Sequence, residues 1–266
     1  MKNGSSERIR GLFLVIDRRN ERGLAHWAQE LKKRLIPAVI LLDEQTLENS
    51  PALAKDLVKQ GFEIGCSYNG EPFWDVDYNR QYAIMERISA DIQTLTNRLM
   101  RIFGSKYFAY NESTLKIADK LGIEYLFARG TAGPKAVVYK PEEYRAKIVS
   151  VSNVPSRQLG TGSLCDESLR CRGETPESLR SLLFRLKEDP IILVAQTHVS
   201  GVKLHWWDVY RDFLDSDVVE WQSIDELATD PILLPNAQIP LNDRADYRVP
   251  KPKIPLEDEP EFPSKN

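Results

Sequence analysis

Cysteine, histidine and methionine are the scarce residues of this chain, three of each among 266. Cys66, Cys165 and Cys171 are too few, and odd in number, to form a disulfide scaffold, and their spacing fits no zinc signature. Reduced thiols in a cytoplasmic protein are therefore expected. No apolar run approaches the roughly 20 residues that a membrane-spanning helix needs, so no membrane span is expected. The net charge is -3 and no basic block or stripe stands out, which argues against a nucleic-acid or membrane-surface partner. The first residues, MKNGSSERIR, carry no apolar stretch before a cleavage site and do not read as a secretory signal. No repeat recurs at a solenoid period.

What is present is an alternation of strand and helix. Leu12, Phe13, Leu14, Val15 and Ile16 form an unbroken apolar run that stops at Asp17-Arg18-Arg19. A run apolar on both faces suits a strand of a parallel sheet with helices around it. Residues 36–42, 62–68, 107–111, 123–129, 191–197 and 218–222 read as further strands, with shorter extended pieces at 136–139 and 148–151. Helical spacing covers 23–34, roughly 78–103, 113–121, 175–187 and 205–214, and another helix starts at Ser50-Pro51 and closes at Gly61. Ser223 with Glu226 three residues on is a capping-box start. Residues 154–173 read as a long polar loop that could act as a mobile lid. The expected organisation is a flexible start (1–10), one β/α domain (11–229) and an extended Pro-rich tail (230–266) that lies on the surface or contacts a partner.

Six or more alternations predict either a β/α barrel or an open doubly wound sheet. In both, the C-terminal strand ends meet at one mouth, where function collects. Those ends supply Asp17, Arg18 and Arg19, then Asp43, Ser67 and Tyr68, Tyr110 and Asn111, Arg129, and Thr197 with His198. Arg18 could polarise a carbonyl or grip a carboxylate or phosphate bidentately, with Asp17 as orienting group or base. The plainer alternative is a salt bridge at the mouth. His198 suits proton transfer near neutrality, against the alternative of a hydrogen-bonded strand-end histidine. His26 and His205 read as structural or surface residues. Tyr68, Phe73 and Trp74 offer flat faces to a sugar ring. Of the adjacent Trp206 and Trp207, one is expected in the core. Cys165 and Cys171 read as ordinary thiols.

Several of these stretches resemble the polysaccharide deacetylase family (NodB homology, carbohydrate esterase family 4) in the same order. IPAVILL, a helix and QGFEIGCS are similar to that family's "IPATFF … GHEIGNH". YFAYNESTLKIADKLGIEYLF resembles its "RPPYG … A..LGY", PIILVAQTHVSG the segment ending in "LH", and VVEWQSIDELA the closing "FVTLSELA". The resemblance covers roughly residues 11–228 and implies a distorted, incomplete β/α barrel acting on a carbohydrate.

The chemistry-bearing positions depart from the pattern. The family's "TFDDG" carries a base and then a metal ligand. Here the base position holds Asp17 and the ligand position Arg18, which cannot ligate. The "HxxxH" ligands fall on Ser67 and Glu71, "RPPYG" keeps only Tyr110, and the late histidine falls near His198. The resemblance therefore implies no metal ion, with a rebuilt site around Glu71, Asp75 or Asp77 as the alternative. The expected activity is removal of an acyl group from a sugar, with Asp17 as base, His198 as acid and Arg18 as electrophilic anchor. Arg19, Tyr68, Glu71, Trp74, Tyr110 and Arg129 would contact the substrate. A nucleotide- or lipid-linked glycan intermediate, as in surface-polysaccharide or O-antigen synthesis, is the expected partner. The rival is a pseudoenzyme that binds carbohydrate and hydrolyses nothing. Oligomeric state is not legible.

Overall fold

The structure, a computed structural model, describes residues 8–156, 159–240 and 259–262. Strands β1 (Ile9–Ile16), β2 (Ala38–Asp43), β3 (Glu63–Tyr68), β4 (Ile102–Ser105) and β5 (Tyr125–Ala128) run parallel in chain order. Between them lie α1 (Glu21–Lys33), α2 (Glu44–Asn49), α3 (Pro51–Lys59), α4 (Tyr78–Thr96) and α5 (Glu112–Leu121). The alternation then breaks. β6 (Val137–Pro141) and β7 (Lys147–Ser150) form an antiparallel pair, with β7 parallel to β5. A second hairpin, β8 (Asn153–Pro155) with β9 (Thr161–Ser163), leads into α6 (Asp166–Arg170) and α7 (Pro176–Leu183).

β10 (Ile191–Gln196) returns to pair in parallel with β1. It is followed by α8 (Leu204–Leu214), β11 (Val219–Trp221) on the first residues of β1, α9 (Ile224–Leu227) and β12 (Ile232–Leu234) on β6. The sheet order is β10-β1-β2-β3-β4-β5-β7-β6-β12, and among the described residues no pairing joins β10 to β12. The result is a curled half-barrel, the distorted β/α barrel expected from the sequence.

The apolar run of β1 serves two cores. Phe13 and Val15 face the helices, where Phe13 meets Trp27, Tyr210 and Trp221 at ring-centroid distances of 5.0, 6.2 and 5.5 Å. Leu12, Leu14 and Ile16 belong instead to the second cluster, with Val39, Leu41, Ile102, Phe127, Val149 and Val194. Each large side chain so buried contributes about 1.5–3 kcal/mol. Polar groups start where this second cluster stops, at the C-terminal strand ends.

Some sequence expectations need correction. α4 ends at Thr96, because Asn97 turns left-handed (φ 56°), and Leu99, expected on its apolar stripe, is 61% exposed. The strand placed at 107–111 is β4 at 102–105. Tyr107 and Phe108 have φ of 62° and 54°, which no strand adopts. α2 was not anticipated; Asp43 caps it by accepting from the Gln45 N–H at 2.9 Å.

The stretch 154–173 is a hairpin and a helix rather than a plain loop. Both Trp206 and Trp207 are buried, since α8 packs on α7 while Trp207 also meets His26, Trp27 and Phe262. The expected extended tail supplies β12, and residues 259–262 lie against α1 and α8: the Leu204 N–H donates to Pro260 O, and Lys203 pairs with Glu261. Residues 241–258 and 263–266 of that tail, and most of the expected flexible start, lie outside the described residues. Ser223 and Glu226 form the expected capping box.

Candidate functional site

The sheet delivers its polar residues through hydrogen bonds between strand ends. The Asp17 N–H donates to Leu41 O (2.9 Å) and the Thr197 N–H to Ile16 O (3.1 Å), which fixes β1 between β2 and β10 at the mouth. Asp17 is fully buried. Its Oδ1 accepts from the Asn20 N–H and the Thr197 hydroxyl, both at 3.3 Å, and its Oδ2 from the Asp43 N–H at 3.2 Å. α1 then starts on Asn20, and its first turn presses on the turn after β10. A Cβ on Gly23 would lie 1.9 Å from Thr197 O, so only glycine lets the helix approach this closely.

One residue on, Arg18 turns into a cavity of about 340 Å³ above the second core. Its Nε donates to Gln196 Oε1 (3.0 Å) and its backbone N–H to Thr197 Oγ1 (2.9 Å). Among the described residues no carboxylate lies within ion-pair distance of its guanidinium. Burial lowers its pKa from the ordinary value, opposed by acidic neighbours that include Asp43 and Glu167; an arginine still stays protonated. The floor is apolar: Ile16, Phe108 and Val194.

The walls carry Lys106 after β4, Arg129 after β5, and Arg172 with Glu167 and Cys165 from the segment around α6. The hydroxyls of Ser67, Ser105, Ser163 and Ser168 complete the polar lining. At 340 Å³ the cavity is at the small end of the range for small-molecule sites, about 300–1,000 Å³, and suits one or two sugar rings rather than a long polymer segment.

His198 also lines this cavity, with Nε2 3.8 Å from Glu167 Oε2 and Nδ1 buried without a hydrogen-bond partner among the described residues. Burial lowers its pKa, Glu167 opposes the shift and Arg18 and Arg170 add to it. The imidazole is therefore neutral at pH 7. Beneath it, Asp166 ties α6 to β10. Its carboxylate accepts from the N–H groups of Glu167 (2.7 Å), Gln196 (3.1 Å) and Ser200 (3.1 Å), and from the Ser200 hydroxyl. Burial pushes its carboxyl up to about 6 despite these donors. Burial likewise pushes the Cys165 thiol well above the ordinary value, which leaves it unreactive.

Of the candidates read from the sequence, the fold brings Arg18, Ser67, Arg129 and His198 together on the cavity wall. It places the others elsewhere. Asp17 lies under the mouth and not on the lining. Arg19 is exposed and pairs with buried Asp43 at 3.0 Å. Tyr68 packs on Phe73, itself fully buried against Phe103 and so no sugar platform. Trp74 stacks on Tyr107 (6.2 Å, 17°), one layer behind the wall. Glu71 pairs with Arg80 at 2.5 Å, and Tyr110 is buried with its hydroxyl on Pro240 O at 2.6 Å.

Lys106, Glu167 and Arg172 had not been singled out. The available signal was the density of charge in CDESLRCR, and Lys106 was hidden by the misplaced strand. As for metal donors, Asp77 is spent capping α4, and among the described residues no three His, Cys, Asp or Glu side chains converge.

Compared with known proteins, residues 8–126 match the family model for polysaccharide deacetylase. Over that stretch the chain is similar to the polysaccharide deacetylases. A Mycobacterium smegmatis protein classed with these deacetylases superposes with a TM-score of 0.65 at 14% identity, covering 85% of this chain and 94% of that one. A variant of BA3943, a carbohydrate esterase family 4 pseudoenzyme with restored enzymatic activity, gives 0.59 at 14% identity, covering 86% and 70%; its wild type is from Bacillus anthracis. The family 4 carbohydrate esterase of Streptomyces lividans, solved with acetate, gives 0.56 at 11% identity, covering 85% and 98%. No curated protein sequence matches the chain. In this deacetylase-like chain no described helix is long and apolar enough to cross a membrane.

Proposed function

We propose that this deacetylase-like protein recognises a carbohydrate in the mouth cavity and does so without metal-dependent hydrolysis. One observation carries the reading. The carboxylate at the family's base position, Asp17, is sealed beneath the mouth by three donors, while the cavity above it is walled by guanidiniums and hydroxyls. A divalent ion needs several converging anionic or neutral donors, and the wall offers Arg18, Arg129 and Arg172 instead, which would repel it. Serine hydroxyls, Gln196 and the apolar floor supply the mixed lining a sugar ring requires.

The three free cysteines support a reducing compartment. The proposed ligand is accordingly a cytoplasmic glycan intermediate of surface-polysaccharide or O-antigen synthesis. Saturation-transfer NMR with acetylated monosaccharides tests the reading, alongside an acetate-release assay with added zinc or cobalt. Binding without acetate release is expected. Acetate release that requires the added ion would overturn it.

A second reading rests on His198. Its Nδ1 is buried in the cavity wall without a partner among the described residues and Nε2 faces Glu167, an arrangement suited to proton transfer during metal-free de-acylation. Acetate release insensitive to chelator, and lost in His198→Gln, would favour it over plain binding.

A further inference from the structure

The chain as a whole is acidic, but the cavity is not. Four of its lining residues, Arg18, Lys106, Arg129 and Arg172, are cationic, and the one acid among them is Glu167. That acid is already engaged: Arg170, which is not in the lining, donates to Glu167 Oε2 through Nε at 2.9 Å and approaches it through Nη2 at 2.8 Å. Of the other nearby carboxylates, Asp43 pairs with Arg19, and Asp17 is held by backbone N–H groups and Thr197.

Two of the four cations, Arg129 and Arg172, are buried. Holding a guanidinium out of water costs several kcal/mol. Arg172 recovers part of that through Thr161 O (2.9 Å) and Ser168 O (3.0 Å). Among the described residues neither Arg18 nor Lys106 has a carboxylate within ion-pair distance; Lys106 sits over the Tyr107 ring at 5.7 Å. The backbone beneath Lys106 is held in an unfavourable shape, with both Tyr107 and Phe108 left-handed. Strain of this kind, about 1–3 kcal/mol per residue, persists where the surroundings force it and collects at functional sites.

We infer that the ligand of this cavity is an acidic sugar, its carboxylate or phosphate held by Arg18, Arg129 and Lys106. This rests on the carbohydrate reading above and adds to it the charge of the ligand. Guanidiniums present paired N–H donors to planar or tetrahedral oxyanions. The serine hydroxyls around them complete a donor-rich shell, and low-dielectric walls strengthen the attraction.

The test is calorimetric titration of the intact protein with four probes: N-acetylglucosamine, glucuronate, N-acetylglucosamine 1-phosphate and inorganic phosphate. At least one acidic sugar should bind about tenfold tighter than the neutral one, an advantage that shrinks as salt rises. Which of glucuronate and the sugar phosphate leads identifies the oxyanion. Arg18→Gln and Arg129→Gln should abolish the advantage, the acidic sugar then binding no tighter than the neutral one. Lys106→Gln, on a half-exposed side chain, should reduce the advantage without threatening the fold. Equal affinity for neutral and acidic sugars, or an advantage that survives all three substitutions, overturns the inference and leaves the carbohydrate reading standing. Phosphate binding as tightly as the sugar phosphate, with no neutral sugar bound, overturns the carbohydrate reading and keeps the anion site.

Discussion

Asp17→Asn separates a structural carboxylate from a catalytic one. In the native fold three donors converge on Asp17: the N–H groups of Asn20 and Asp43 and the Thr197 hydroxyl. An amide keeps one oxygen and puts a donor where the other was. With the new NH₂ at Oδ1 the Asn20 N–H loses its acceptor, and with it at Oδ2 the Asp43 N–H does. Only the Thr197 hydroxyl can rotate to adapt. One buried donor left without an acceptor costs about 1–3 kcal/mol, so a loss of about 2 kcal/mol is expected. With a urea m-value of about 3 kcal/mol/M, the unfolding midpoint should fall by about 0.7 M at unchanged slope. Sugar binding measured well below that midpoint should stay within a few-fold of the parent, because this carboxylate is not part of the lining. An unchanged midpoint together with abolished binding or acetate release would refute the reasoning and put Asp17 in the chemistry.

Gly23→Ala should lower the melting temperature by about 6 °C or more, since overpacking against backbone belongs at the upper end of a roughly 1–3 kcal/mol range. Gly122→Ala also destabilises, but through its left-handed backbone alone (φ 73°), because no atom of the described residues lies near the added methyl; equal losses in the two variants would discount the close approach to Thr197. For His198 the folded pKa lies below the unfolded one, so its contribution to stability is present above about pH 6.5 and is lost as pH falls through the folded value. The difference in melting temperature between parent and His198→Gln should therefore shrink between pH 7.5 and 5, and a difference independent of pH would contradict the buried neutral imidazole. Phe13→Ala, which removes the ring shared by Trp27, Tyr210 and Trp221, should cost about 3–5 kcal/mol in chemical denaturation, and a loss below about 1 kcal/mol would mean that the helix-side core closes around the gap.

The framework was legible because it follows local periodicity. The run from Leu12 to Ile16 must be buried on both sides, and the two cores it joins are the reason. Gly122 and the Ser223–Glu226 box marked element ends because their geometry is set within a few residues. β4 was not legible: it is four residues long, and the helical spacing of Ile92, Leu95 and Leu99 runs straight toward it, with no sign in the pattern that Asn97 ends the helix.

The site was half legible for a similar reason. Topology alone places Arg18, Arg129 and His198 at one mouth, since each follows a parallel strand. The opposing wall is set by a contact distant in sequence: residues 161–172 fold over the end of β1 through Asp166 and its bonds to Gln196 and Ser200. Nothing within that stretch announces such a partner. Trp74 and Phe73 looked like a ligand face because aromatic residues after a strand end can point either way, and here the core claims one and the Tyr107 stack the other.

The segment from β8 to the turn after α6 lies in the chain between β7 and β10, yet it supplies Arg172, Glu167, Ser163, Ser168 and both cysteines of the cavity. Rim and frame are thus separable parts. The β1 end presents a fixed half-site, and a single interchangeable insert supplies the complementary half. Exchange of charged residues along 161–172 can change which molecules are admitted while every strand pairing is kept. Selectivity in this architecture can therefore change while the scaffold stays the same.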